Sequence, residues 1–362
     1  MILGIVSPLR VSKDVKPASV YPFDGMKVND KKAGLREFLA DHTKTNPNQP
    51  LCFIFNTNRP HTPYPTNTQY KPEDMIIPPD MLDTLATREM LTRYYTEISE
   101  MDKQVGACLA DVDAVGLKDK TVFIYTSDQG GSFPRAKWNL YDAGIRMPFI
   151  VRWPGRVKAG TVTQSLASSV DILPTFIEIA GGVRVDSLHG RSFLPTLMNP
   201  DKKHHEKIFA THTGNPLHTR GYNDYAMRAV RTDKHKYVLN LDPDKRWYSH
   251  CTDSDDKDTG VIYRTWIEKA KTDQAAAELI DKIHHRLVEE LYDLDADPYE
   301  LNNLAGAPDH QKILKTLRAE VVQWRQSLGD EGEPLEALMN HLFQLKKKKR
   351  EIKPEYLKYL SS

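Results

Sequence analysis

Cysteine is scarce in this chain. The three present in 362 residues (Cys52, Cys108 and Cys251) fall at unrelated spacings, with no Cys-x-x-Cys pair and no Cys/His ligand set. That excludes a disulfide framework and a sulfur-rich structural zinc site, and it leaves the redox compartment open. Cys52 and Cys108 lie in apolar patterns and are expected as buried thiols. An excess of one charge is also lacking: 50 basic against 49 acidic residues give a formal net charge of +1. No global field draws the chain to nucleic acid or to an anionic membrane, so neither is expected as a partner. No apolar run is long enough for a membrane span. The opening MILGIV stops at Ser7-Pro8-Leu9-Arg10, too short for the core of an export signal. The one charge run, Lys346–Arg350, reads as a solvated helix face or tail.

The length suffices for one large domain or two smaller ones. A short helix is expected over Gly34–His42 and an apolar strand over Leu51–Phe55. From Thr84 to Val115, Leu91, Tyr94, Tyr95, Ile98, Met101, Val105, Cys108, Leu109 and Val112 recur at helical spacing, predicting a long amphipathic helix ended near Gly116. Strand-like runs follow at Thr121–Thr126 and Phe149–Trp153, then a helix over Val170–Ala180 closed by Gly181-Gly182. Strands alternating with helices predict an α/β sheet covered on both faces. The pattern changes after about Asp201: Lys207–His212, Tyr225–Arg231, Lys236–Leu241 and Glu290–Leu294 alternate like half-buried strands, and a helix follows over His310–Leu328. This predicts a smaller α+β unit with an antiparallel sheet. The polar, acidic Ser249–Thr259 reads as a surface loop.

The chemistry concentrates in Thr121–Gly155. Its strand ends on Ser127-Asp128-Gln129-Gly130-Gly131, and side-chain oxygens at the carboxyl end of a buried strand suit a metal or phosphate-like ligand. Asp128 and Gln129 offer oxygen donors of the kind hard cations take, and they converge only where the strand frays into a loop. Taken alone, such a pair also describes an ordinary Asx turn. Lys137, in FPRAKWNLYDAG, is a point charge able to hold an anion. His61 stands between prolines in NTNRPHTPYP, on a stiff loop that fixes its ring. Asp171 reads as a helix N-cap. Arg228, in YAMRAVRTDKHKYVLNL, is either a substrate contact or half of a structural ion pair.

These segments together resemble the sulfatase family. The anchors, in family order, are VYPFDG, RPHTPYP, YYTEISEMDKQVG, TVFIYTSDQG, VDILPTFIEIAGG, LHGRSFLPTL, KHKYVLNL and ELYDLDADPYELNNLAG, from about Val15 to about Gln326. The setting of Lys137 is similar to the heparan N-sulfatase (sulfamidase) branch. The resemblance implies an alkaline-phosphatase-like mixed sheet covered by helices on both faces, with a smaller C-terminal α+β antiparallel-sheet domain. It implies a catalytic domain over residues 1–204, a C-terminal subdomain over 205–330 and a helical or disordered basic tail over 331–362. By the same resemblance Asp128 and Gln129 are ligands of Ca²⁺ (or Mg²⁺), His61 and Lys137 are catalytic contacts to the sulfate, and Arg228 is a substrate contact. The partner implied is a sulfated carbohydrate or other sulfate ester, and the location extracytoplasmic.

The chain departs from the family at the nucleophile. Family members use a formylglycine made from Cys or Ser in Cys/Ser-x-Pro-x-Arg, and no modifiable residue stands in that context here. Val6-Ser7-Pro8-Leu9-Arg10 mimics the spacing, but valine has nothing to modify. The paired aspartates of the family's N-terminal metal site are also absent, and Val11-Ser12-Lys13-Asp14 lacks the histidine of Gly-Lys-x-His. Family-like text starting near Val15 suggests a chain without its N-terminal catalytic portion and central strand, leaving strand edges and a core face uncovered. Two functions follow: a sulfuric ester or sulfamate hydrolase represented by a chain inactive alone, or a catalytically dead protein that binds sulfated glycans. A two-metal phosphodiesterase or phosphonate hydrolase is disfavoured by the sparse ligand set.

Overall fold

The computed structural model describes residues 2–6, 34–213, 225–255 and 259–332. Two four-stranded sheets organise them. In the first, β1 (Ile2–Val6), β2 (Leu51–Phe55) and β3 (Thr121–Thr126) run parallel, and β4 (Phe149–Arg152) pairs antiparallel with β3. The order is β2-β1-β3-β4, a mixed sheet. The expectation of a missing central strand is therefore corrected. The apolar run at residues 2–6 occupies that slot, paired along its whole length with both neighbours. Five apolar residues are enough for a strand flanked on both sides, because every ladder bond is supplied by β2 and β3.

One face of this sheet packs on α1 (Leu35–Thr45) and α2 (Leu85–Ala114). Phe123 meets Cys108 of α2, and Leu51 lies in a cluster with Leu39 and Val112. On the opposite face Val122 and Ile124 are buried beneath Phe193, α4 (Ile172–Ile179) and α5 (Leu194–Met198). That second cover stops short of β2, where Cys52 is exposed and Ile54 is 49% exposed. Cys108 is buried as expected, but Cys52 is not, because edge-strand residues alternate and only 51, 53 and 55 face the helices. Within α2, Thr84 caps the start by accepting the Thr87 amide, and Gly116 takes φ +73° just past the end. Its buried Met90, Leu91, Met101 and Val112 each contribute roughly 1.5–3 kcal/mol by leaving water.

The short α3 (Asp142–Ile145) leads into β4. The second sheet is an antiparallel meander of β5 (Lys207–His212), β6 (Met227–Thr232), β7 (His235–Asn240) and β8 (Glu289–Asp293). Between β7 and β8 the chain builds α6 (Gly260–Ala270) and α7 (Gln274–His284), neither of which is among the expected elements. Trp266 of α6 is buried against the β6–β7 core, and its indole donates to Thr87 of α2 at 2.9 Å. On the other side α8 (Gln311–Ser327) lays Leu314, Leu317 and Val321 over Val230, Tyr237 and Leu291. The Ser249–Thr259 stretch expected as a surface loop is buried at Ser249, Cys251, Thr252 and Thr259, with Ser249 accepting the Cys251 amide, while Asp255 is exposed. Residues 256–258, the N-terminal segment 7–33 and most of the expected basic tail lie outside the described residues.

A buried ionic cluster joins the two sheets. Lys236 of β7 is 0% exposed, and its ammonium pairs with Asp142 at 2.5 Å and Glu300 at 2.8 Å. Arg231 of β6 reaches the same Asp142 carboxylate at 3.1 Å, and Glu300 accepts the Asp142 amide at 2.5 Å. Arg135 donates to the Glu300 carbonyl at 2.8 Å and stacks over Tyr141, whose hydroxyl donates to Glu290. Among the described residues no helix is long and apolar enough to cross a membrane.

Candidate active site

Because β1, β2 and β3 are parallel, the loops after β2 and β3 leave the sheet at the same carboxyl edge, where open α/β sheets bind ligands. After β3 the chain turns sharply. The Gly130 amide donates to the Gly144 carbonyl at 2.9 Å, and a β-carbon on Gly130 would stand 1.9 Å from the Ala143 carbonyl oxygen. Only glycine lets the two backbones approach this closely. Asp128 is exposed and Gln129 half-buried at this turn, and Ser127 donates to the Gln129 carbonyl at 3.1 Å.

Lys137 is 7% exposed. Its amide donates to the Gly131 carbonyl at 3.0 Å, and its ammonium lies 5.4 Å from the Trp138 ring centre. Among the described residues that ammonium has no hydrogen-bond or ion-pair partner. Burial lowers its pKa, the nearby Cys251 and Asp128 raise it in part, and the net is below the ordinary lysine value. The side chain is buried along its length and its ammonium is not paired, so a bound anion would meet a cation already partly stripped of water. The ion cluster around Asp142 and the Arg135–Glu300 bond hold both flanks of Lys137, so its position is fixed by the second sheet.

The loop after β2 is tied down before and after His61. Thr57 donates to Gln104 and Arg59 pairs with Glu97, each at 2.6 Å. Tyr64 packs on Tyr94, and Tyr94 packs edge-on against Phe133, two residues beyond Gly131. This aromatic run carries the His61 loop towards the Asp128–Lys137 segment. His61 itself is exposed, with Nδ1 2.6 Å from the Thr62 carbonyl; Nδ1–H donates there, which leaves Nε2 as the acceptor.

Arg228 lies apart from this edge. Its guanidinium pairs with Asp330 through two bonds of 2.6 and 3.0 Å, and donates to the carbonyls of Met227 and His212. Burial raises the Asp330 carboxyl, and Arg228 with Arg325 more than reverses this. The His212 ring centre lies 6.0 Å from that of Trp138, the neighbour of Lys137, so His212 stands between Arg228 and that segment. Burial, with the charges of Arg286 and Arg228, pushes the His212 pKa down to about 4.

Sequence reasoning missed what packs on the Trp138 side of Lys137. Trp138 donates its indole N–H to His250 Nδ1 at 2.9 Å, and His250 Nε2 lies 3.4 Å from the Cys251 sulfur. With Nδ1 accepting, the neutral imidazole carries its proton on Nε2 and donates to the sulfur instead of deprotonating it. The sequence signal for this contact is Trp138 beside Lys137.

Asp128 and Gln129 suit a hard divalent cation in donor type. Two side chains supply only part of its oxygen shell, and among the described residues no group of three His, Cys, Asp or Glu ligands forms at this edge. A formylglycine does not fit any of the three cysteines. Cys52 is in mid-strand and Cys108 in mid-helix, and Cys251 is fully buried under His250.

Comparison with known proteins gives two family models. The sulfatase model matches residues 12–183, and the model of the N-sulphoglucosamine sulphohydrolase C-terminal region matches residues 134–287. An ulvan-active sulfatase of Formosa agariphila is 30% identical over 338 residues, covering 91% of this chain and 63% of its own length. Human N-sulphoglucosamine sulphohydrolase is 26% identical over 383 residues, covering 90% of this chain and 72% of its own. The chain thus spans less than two thirds of the first of these relatives. Among solved structures, a putative sulfatase from Bacteroides fragilis superposes with a TM-score of 0.59 at 18% identity, covering 82% of this chain and 57% of that one. A structure described as a complex with D-glucosamine-2-N,6-O-disulfate gives 0.56 at 18% identity, covering 82% and 69%. At these identities the superpositions show the fold, an alkaline-phosphatase-like α/β architecture.

Proposed function

The chain belongs to the sulfatase family, and we propose that it binds the sulfate group of a sulfated carbohydrate, as ester or sulfamate, at the carboxyl edge of its first sheet. The observation that carries this reading is Lys137, a buried side chain whose ammonium has no hydrogen-bond or ion-pair partner among the described residues and lies near Asp128. The named substrates of the relatives, N-sulphoglucosamine and glucosamine disulfate, give the chemical class.

In this reading Lys137 holds a sulfate oxygen and offsets charge developing on it. His61 presents Nε2 to the sulfate or the bridging oxygen. Asp128 and Gln129 hold a divalent cation, which when bound polarises the sulfate. Arg228 acts at one remove, fixing the His212 carbonyl behind Trp138. The Lys137 ammonium keeps its charge below its depressed pKa, so sulfate affinity is lost as pH rises through a value below the ordinary lysine 10.5. The whole protein's activity is hydrolysis of the sulfuric ester or sulfamate, in an extracytoplasmic compartment. This chain alone does not turn over, because no Cys or Ser stands in Cys/Ser-x-Pro-x-Arg; a binding protein without catalysis accounts for the same observation.

Calorimetric titration of the full chain with N-sulfoglucosamine in Ca²⁺ buffer tests the site. Saturable binding weakened at least tenfold by Lys137→Ala is expected, with no release of sulfate. Binding indifferent to Lys137→Ala overturns the site, and Ca²⁺-dependent release of sulfate overturns the inactivity.

A further inference from the structure

His204 and His205 stand just before β5, and both rings turn towards Asp171 at the start of α4. His205 Nε2 lies 2.9 Å and His204 Nε2 3.2 Å from the same carboxylate oxygen, Oδ2 of Asp171. The three prospective ligand atoms lie within 4.8 Å of one another. Asp171 is fully buried and the His204 side chain is 5% exposed.

The carboxylate does not need two imidazoles. Oδ1 accepts the Arg191 amide at 2.9 Å and Oδ2 accepts the Ser168 amide at 2.8 Å, so two backbone donors already orient it. Asp171 stands at the N-cap position of α4 as expected from the sequence, but its side chain makes no cap bond to that helix; the Ser168 bond makes it instead the third residue of a capping box on the turn just before. His205 completes Oδ2. His204 Nε2 is then left buried without a hydrogen-bond partner, an arrangement that costs a protein free energy unless something occupies the nitrogen.

We propose that Asp171, His204 and His205 form a second divalent-metal site, of the zinc type. Two imidazoles and one carboxylate are a borderline-soft donor set that prefers Zn²⁺ to Ca²⁺, and three protein ligands leave a fourth position for water. With metal–ligand bonds of 2.0–2.1 Å, atoms on a tetrahedral shell stand about 3.3 Å apart, close to the 2.9 and 3.2 Å at which the two Nε2 atoms already stand from Oδ2. The backbone amides of Ser168 and Arg191 supply the outer contacts that orient a ligating carboxylate. The site is distinct from Asp128 and Gln129 in residues and in donor type. The His204 amide also donates to Ser165 Oγ at 2.6 Å, and His205 bridges to Leu166, so a metal here fastens the helix covering the first sheet to the leading strand of the second.

The test is to strip the full chain with a chelator and titrate it with ZnCl₂ in excess CaCl₂, alongside CoCl₂ followed by visible absorption. One Zn²⁺ per chain undisplaced by Ca²⁺, tetrahedral Co²⁺ bands, and at least a tenfold loss of zinc affinity in His204→Gln but not in Asp128→Asn are expected. Failure of the stripped wild type to take up zinc overturns the proposal, and so does an unchanged zinc affinity in His204→Gln. His204→Gln leaves the capping carboxylate in place, and the Co²⁺ spectrum of the wild type decides the geometry without any variant: bands of octahedral coordination alone overturn the site.

Discussion

Replacing Lys236 with methionine removes the one cation shared by Asp142 and Glu300. Methionine fills much of the lysine stem's volume, so the effect is electrostatic. Asp142 keeps Arg231 at 3.1 Å, but Glu300 loses its ion pair inside a fully buried setting. Breaking a buried pair from one side costs about 3–5 kcal/mol, against at most ~1 kcal/mol for an exposed pair such as Lys103–Glu100. At roughly 2–4 °C per kcal/mol for a large domain, the melting temperature should fall by on the order of 6–20 °C. The loss should also depend on pH. Burial pushes the Glu300 carboxyl up even with Lys236 beside it, so without that cation its folded pKa rises further above the unfolded value. A carboxylate with a raised folded pKa takes up a proton on folding, so the penalty grows as pH rises and is larger at pH 8 than at pH 5. Differential scanning calorimetry at both pH values measures this, and Glu300→Gln introduced into the variant should recover part of the loss by removing the unpaired charge. A loss under about 1 kcal/mol at pH 8, or one larger at pH 5 than at pH 8, refutes the reasoning.

Three further outcomes are expected. His284 is held neutral by donating to the Trp247 carbonyl and accepting from Tyr263, and burial foremost pushes its pKa down from 6.5 to about 4. Stability it contributes above pH 6.5 is lost as pH falls towards 4, by roughly 3 kcal/mol at about 1.4 kcal/mol per pH unit, and denaturant unfolding from pH 7 to 4 should show a shallower slope in His284→Gln. Gly130→Ala should destabilise by about 1–3 kcal/mol and weaken sulfated-sugar binding, because its β-carbon meets the Ala143 carbonyl. Gly106→Ala, in open space within α2, should instead stabilise by about 0.5–1 kcal/mol, and urea midpoints in the reverse order count against the packing argument.

The elements legible in the sequence are those with a sustained period. α2 carries its stripe over 30 residues, and β5–β8 alternate between clear breaks. α6 and α7 escape notice because each is 11 residues long and apolar on a face defined by partners far away, Met227 and Val238 among them. β1 is too short to show a period, and Cys52 looks interior because composition does not reveal which strand is at an edge. Asp128, Gln129, Lys137 and His61 stand out through their local motifs. His204 and His205 do not, since their third partner is Asp171, more than thirty residues earlier, and only the fold brings it near. Arg228 is legible only as a choice: its sequence neighbourhood allows a substrate contact or an ion pair, and its ion-pair partner Asp330 lies 102 residues on.

The place of β1 between β2 and β3 sets an order of assembly. Val6 pairs with Phe55 on one side and with Tyr125 on the other, so the middle of the sheet is translated before either border. At about 5–20 residues per second, on the order of 6–25 s pass between synthesis of Val6 and of Thr126. During that interval an apolar ribbon has first both ladders and then one ladder open, and closing the last spans well over a hundred residues, a slow and non-local event. The nascent chain therefore depends on whatever shields that ribbon on the ribosome, and the yield of folded protein should respond to translation speed and chaperone supply more than to any contact in the finished sheet.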